Sequence, residues 1–430
     1  MGAAPSLAGL PSDEGMAVIL SSRRRTALMC GVALGVVFAL TGGAGASSSA
    51  EGRSLRGDGI GTAKFKEQAL SGTVSSRAET IPNFTSAFTD PTNGRTYHYT
   101  MVGTNPANGN VTTTIPTEII PMRFVFDVSA DPNVRVLDGT DKLAATMNSP
   151  VFQSADIGTA ANTTASEPPQ PPDTPPGVAP DPRVINEPSD VTQVGDAIYR
   201  AQWNKSGTGY HVLLGTPTVT ATQTIAVPKN QGQIVVGSRS HADIGLVSYS
   251  WFTSHLTNLL VSMKISPHVL PIFLVNNTFL YVQTPGNCCI LGYHGATSSV
   301  NGNGTQQVNT YMFASYSQQG IFSANAGDTE SFIADIHALS HEVQEWYDDP
   351  FVNNIVDPWL TPTAPQYGCT SYLETGDPVV GYGFKVTLGG ITYHPEDEVH
   401  FSWFARESPS RAAQGYYTYL NNFADVAQGC

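Results

Sequence analysis

Residues 328–350, Asp-Thr-Glu-Ser-Phe-Ile-Ala-Asp-Ile-His-Ala-Leu-Ser-His-Glu-Val-Gln-Glu-Trp-Tyr-Asp-Asp-Pro, constrain this chain more than any other stretch. At 3.6 residues per turn, Phe332, Ile336, Leu339, Val343 and Trp346 fall in one apolar stripe. His337, His341, Glu345 and Asp348 gather on the opposite side, within about 80° of one another. The pattern predicts one amphipathic helix, begun by an Asp or Thr and stopped by Pro350. Two imidazoles and two carboxylates on one face suit a metal ion, whereas a solvated polar face is the commoner outcome on a surface helix.

Within that stretch His341-Glu342-Val343-Gln344-Glu345 reads H-E-x-x-E, one residue away from the H-E-x-x-H of zincins. Positions i and i+4 project side by side, so His341 and Glu345 can hold one divalent ion, with zinc the first expectation. Glu342 then sits beside them as general base towards a water. A carboxylate in place of the second imidazole adds negative charge and widens the choice of metal beyond zinc. A metzincin would carry histidine where this chain has Phe351, so that subtype is excluded.

A catalytic metal needs a third protein ligand and an open position. Residues 369–377, Cys-Thr-Ser-Tyr-Leu-Glu-Thr-Gly-Asp, offer Glu374 as the first choice, with Asp377 as an alternate; a capped surface turn is the plain reading of both. His337 and Asp348 are alternates on the helix. Tyr393-His-Pro-Glu-Asp-Glu-Val-His400 adds His394 as an alternate ligand and, with Tyr393, as a candidate oxyanion partner. That acidic run reads as an exposed loop, which favours structural roles for His394 and His400. The chain has no G-x-S-x-G, P-loop or dinucleotide fingerprint.

Arg23, Arg24 and Arg25 precede an apolar run and then Ala44 and Ala46 in A-x-A spacing, the pattern of a signal peptide over residues 1–46. Its removal takes three Arg, one Asp and one Glu, so the formal charge goes from −14 to −15. A chain that acidic is a poor nucleic-acid binder. No later segment is long and apolar enough to cross a membrane. Secretion makes the four remaining cysteines disulfide candidates, and adjacent cysteines fit ordinary disulfide geometry badly. Cys288 and Cys289 are therefore expected to pair separately with Cys369 and Cys430.

Residues 47–90, rich in Ser, Gly, Ala and Thr, read as a flexible leader or pro-segment. Residues 91–430 read as one α+β domain, mixed and largely β-sheet, zincin-like, with the helix at its centre and a Pro-rich insertion at 166–189. Strands are expected over 97–102, 117–128, 210–214, 219–227, 233–236, 270–275 and 278–282, the last two broken at Asn276-Asn277. A further helix is expected over 250–263.

Residues 339–353, with Cys289-Ile-Leu-Gly-Tyr-His294 upstream and Leu373-Glu-Thr-Gly-Asp377 downstream, resemble a group of secreted bacterial proteins with an H-E-x-x-E helix. That likeness runs over about residues 97–430. The Cys-to-Gly-Tyr-His segment, the Asp-Pro-Phe-Val-Asn helix end and the terminal cysteine also resemble, remotely, the plant Exordium-like (phosphate-induced protein) family. The resemblance implies one secreted domain with the helix at its centre, and no particular reaction. The motif chemistry points to a secreted metal-dependent hydrolase, a zincin-like metallopeptidase acting on a peptide or protein. The contrasting expectation is a non-catalytic extracellular or cell-wall protein that binds carbohydrate.

Overall fold

Runs of alternating apolar residues dominate the chain, and most of them become strands. The computed structural model describes residues 57–126, 135–158, 190–322, 333–361, 364 and 367–430, which belong to one compact unit. Residues 1–46 and 166–189 lie outside the described residues, so the signal-peptide and Pro-rich readings do too.

Eleven strands make one mixed sheet. They are β1 (Gly61–Gln68), β2 (Thr117–Phe126), β3 (Arg135–Asp138), β4 (Thr218–Val219), β5 (Gln223–Val227) and β6 (Gly232–Val236), followed by β7 (Asp243–Ser248), β8 (Leu270–Asn276), β9 (Thr278–Tyr281), β10 (Cys288–Val300) and β11 (Gln306–Tyr316). The strand order is β4-β2-β8-β11-β10-β9-β7-β6, with β1 parallel to β10 and with β3 and β5 on β2. Asn277, with φ of +46°, turns the chain between β8 and β9, where the Asn pair predicts a break.

Alternation along the strands sorts the two faces. Ile272 and Leu274 of β8 pair with Met312 and Ala314 of β11 on one face, and Phe273 pairs with Phe313 on the other. The second face is covered by α2 (Tyr249–Met263) through Phe252, Leu256 and Leu260. The first is covered by α3 (His337–Asp348), the helix of the H-E-x-x-E motif, with α1 (Val194–Gln202) packed against α3.

Strand takes 40% of the structure and helix 19%, in a large, nearly closed sheet, so this is a mostly β fold rather than a helix-centred, zincin-like α+β one. The reason lies in residues 288–316, which form the two longest strands and fill the sheet's middle, leaving α3 as one layer on one face. Residues 57–90, expected to be flexible, instead carry β1 and the strand Asn83–Thr89, which pairs with Thr96–Val102. Their Ala63 and Phe65 are buried, so this part of the leader is integral to the fold.

The disulfides are Cys288–Cys289, across a cis peptide bond, and Cys369–Cys430 with Cα atoms 6.1 Å apart. The expected cross-pairing assumed a trans peptide; the cis bond brings the adjacent Cα atoms to 3.1 Å. Among the described residues, no helix is long and apolar enough to cross a membrane.

Candidate metal centre

α3 is shorter than its apolar pattern suggests. Asp335 sits in the left-handed region at φ +41°, and its carboxylate accepts from the N–H groups of Ile336 and His394, so helix begins only at His337. At the other end Asp349 leaves helical geometry ahead of Pro350, and its carboxylate accepts from the N–H groups of Asn353 and Asn354. Every residue of α3 is buried. The solvated polar face is thereby ruled out: His341 and Glu342 have no exposure at all.

Three segments converge on that face. β10 supplies His294, with Gly292 two residues earlier on the same side of the strand; a Cβ at Gly292 would lie 2.5 Å from Glu342 Oε1, so only glycine admits the carboxylate. β1 runs beside β10, pairing Glu67 with His294 and stacking Phe65 on the His341 ring at 3.5 Å between centroids. Residues 369–377 fold back over the helix. Cys369 is anchored by its disulfide, Tyr372 pairs with Ile355, and the N–H groups of Gly376 and Asp377 donate to Glu345 Oε1 at 3.1 and 3.2 Å. A Cβ at Gly376 would fall 2.3 Å from His341 Nδ1, so this approach also needs glycine.

The polar geometry fixes which atoms are free for a ligand. His341 Nδ1 lies 2.7 Å from Glu396 Oε2 and donates to it, which turns the Nε2 lone pair towards Glu345 Oε2 at 3.1 Å and Asp377 Oδ1 at 3.8 Å. Neither His341 Nε2 nor Asp377 Oδ1 makes a hydrogen bond. On the other side, His294 Nε2 donates to the Asp349 carbonyl at 3.1 Å, leaving Nδ1 as an acceptor that faces Glu342 Oε2 at 3.2 Å and Glu345 Oε2 at 3.7 Å. Two acceptors facing each other require a proton or a cation between them.

Electrostatics reinforce that requirement. Burial pushes Glu342, Glu374 and Asp377 well above the usual carboxylate range, and their mutual repulsion and that of Glu345 add to it. Burial pulls the His294 imidazole down to about 4, keeping it neutral and able to ligate. For His341 burial acts downward, but Glu345 and Glu396 outweigh it and hold the imidazole well above its ordinary value when no other cation is present.

The ligand atoms of His341, Glu345 and Asp377 lie within 4.8 Å of one another, as do those of His294, Glu342 and Glu345. Imidazole with carboxylate is a donor set for zinc, manganese or iron, and the orphaned buried atoms fit such an ion. Of the residues singled out from sequence, His341, Glu342, Glu345 and Asp377 are brought together. Glu374 lies near His294 instead, 3.8 Å from its Nε2, with both oxygens unpartnered.

The remaining candidates are used elsewhere. His337 Nε2 lies 3.2 Å from Glu396 Oε2, behind His341. Asp348 accepts from Gln202 and Gln344, and burial raises its carboxyl to about 7. His394 pairs with Asp335 at 2.6 Å, and the Tyr393 hydroxyl donates to the Ala145 carbonyl, so neither is arranged as an oxyanion partner of this centre. His294, Glu396 and Glu67 are not among the metal ligands that the sequence leads one to expect. No protein family, curated protein or solved structure matches this chain.

Proposed function

We propose that this chain is an exported, metal-dependent hydrolase, with a peptide bond as its substrate class. The observation that carries the reading is the convergence of His341 Nε2, Glu345 Oε2 and Asp377 Oδ1 in a buried site with no hydrogen bonds to the imidazole nitrogen or to Asp377 Oδ1. A divalent cation bound there supplies Lewis acidity and lowers the pKa of water. The chain's own residues do the rest. Glu396 orients His341, the N–H groups of Gly376 and Asp377 hold Glu345 through its other oxygen, and Phe65 shields the imidazole from water. Glu342 has Oε2 turned to His294 and Oε1 without a partner, so Oε1 is the atom proposed to take the proton from the attacking water. Glu67 and Tyr367 border the cluster and are partly exposed, so theirs is the proposed side of substrate approach. Two disulfides suit an oxidising compartment and support the exported setting.

One observation favours a second reading, a non-catalytic protein with a structural ion: every ligand atom is buried. Digestion of a broad peptide library by wild type and Glu342→Gln, each assayed for bound metal, separates the two. Hydrolysis that disappears in Glu342→Gln while an ion stays bound at His341, Glu345 and Asp377 supports the enzyme; hydrolysis indifferent to the change, or none in wild type with metal bound, contradicts it.

A further inference from the structure

The two imidazoles of the centre belong to separate sets of ligand atoms that share one residue, Glu345. It is shared through a single oxygen. Oε1 is occupied by the N–H groups of Gly376 and Asp377, while Oε2 is 3.1 Å from His341 Nε2 and 3.7 Å from His294 Nδ1. Both nitrogens are turned towards Oε2 by outer hydrogen bonds, from His341 Nδ1 to Glu396 and from His294 Nε2 to the Asp349 carbonyl. An arrangement that served one ion would need only one of these nitrogens so prepared.

Charge makes the same point independently. Glu342, Glu345, Glu374 and Asp377 surround the two imidazoles and carry a formal charge of −4 when ionised. Among the described residues no Lys or Arg forms an ion pair with any of them; their charged contacts are to histidines. One divalent ion offsets two of these four charges and a second offsets the other two, while Glu396, on the far side of the ring, is left to the His341 imidazole. Buried carboxylates without a cationic partner are costly, so the second half also calls for compensation. Glu342 Oε1, Asp377 Oδ1 and both Glu374 oxygens are buried without partners, as a site for more than one cation requires.

Resting on the metal-dependent reading above, we propose that the centre binds two divalent cations bridged by Glu345 Oε2. One is held by His341, Glu345 and Asp377, the other by His294, Glu342 Oε2 and Glu345. Glu374, beside His294, serves the second ion as an outer carboxylate. Two ions sharing one carboxylate would supply a clamp on both the attacking and the leaving oxygen of a displaced group. Glu342 Oε1 lies outside both ligand sets and keeps its role as base.

The test is a count of ions and their coupling. Full-length protein stripped with a chelator is titrated with Mn²⁺, bound manganese is measured by mass spectrometry after gel filtration, and electron paramagnetic resonance spectra are recorded. The expected result is two Mn²⁺ per chain with a spin-coupled spectrum in wild type, and one Mn²⁺ with an isolated six-line spectrum in His294→Ala. One uncoupled Mn²⁺ in wild type that is lost in Asp377→Ala overturns the bridge while leaving the single-ion hydrolase intact. No bound Mn²⁺ in wild type overturns both. If His294→Ala does not fold, the wild-type spectrum decides alone, an uncoupled one sinking the proposal.

Discussion

Two kinds of buried carboxylate occur in this molecule, and they are compensated differently. Asp190 and Asp196 meet the buried guanidinium of Arg200 at 3.0 and 3.5 Å, and Asp90 meets that of Arg406 at 3.0 Å, with the partly exposed Asp357 on the same guanidinium. Asp58, pushed up by burial, is nevertheless held well below its ordinary value by backbone N–H groups of Arg239 and Ser240 and by the Ser238 and Ser240 hydroxyls. Each of these acids has a cation or a set of N–H and hydroxyl donors supplied by the chain, and the contacts of Asp58 and Arg406 tie distant segments together. Around α3 the acids instead face neutral or shared imidazoles and one another. Completed ion pairs mark architecture; incomplete ones, buried to the same depth, mark a place prepared for something the chain does not itself provide.

The largest effect is expected from Arg200→Met, which strands Asp190 and Asp196 without a cation. Urea unfolding should show a loss of about 3–5 kcal/mol that is the same with and without chelator. A chelator-dependent loss would mean that this pair, too, belongs to a metal site.

Next in size is the metal contribution itself. With a divalent cation at about 100 times its dissociation constant, wild type should gain about 2.7 kcal/mol over the stripped protein. Glu345→Gln should abolish that gain, and calorimetric melting with and without chelator reads it directly. Equal melting temperatures for wild type in both conditions would put α3 in the same class as the arginine pairs.

The effect that is smallest near neutral pH, and grows only on acidification, concerns His400, which is buried with both nitrogens unpartnered and which burial alone pulls down to about 3. Its folded-state pKa lies below the unfolded value near 6.5, so the unfolded chain binds the extra proton first. Its contribution is therefore complete above pH 6.5 and declines as pH falls towards 3, by at most about 1.4 kcal/mol per pH unit. His400→Phe should flatten that part of the stability profile measured by urea titration between pH 6.5 and 4.5; an unchanged slope would assign the dependence to other groups.

Parts of this molecule are plain from the residues. The strands at 270–276 and 278–281, the Asn turn between them and the helix over 249–263 follow from periodicity and turn chemistry. So does the side-by-side placement of His341 and Glu345, because a four-residue spacing on a helix dictates it. What the residues hide is everything set by long-range packing. His294 is 48 positions from Glu342 and sits in a run whose adjacent cysteines draw attention to thiol chemistry. The signal it offers is the alternation Gly292-Tyr293-His294 inside an apolar stretch, which places Gly292 and His294 on one strand face. Glu396 and Glu398 are hidden for the opposite reason. An acidic run reads as exposed, yet both are buried, Glu396 between His337 and His341. Glu374 and Asp377 are equally acidic neighbours of a glycine, and only the turn at Gly376 decides which of them reaches His341.

The polar face of α3 is expected to hold a cation in the native protein. Crystals of the protein soaked in Mn²⁺ or Zn²⁺ and measured at the metal's absorption edge test it most directly. An anomalous peak at about 2.0–2.2 Å from His341 Nε2 and the nearest oxygens of Glu345 and Asp377 is the predicted result. A fully ordered His341–Glu345 ion pair with no anomalous density between them, in crystals that bind the metal elsewhere, would contradict it.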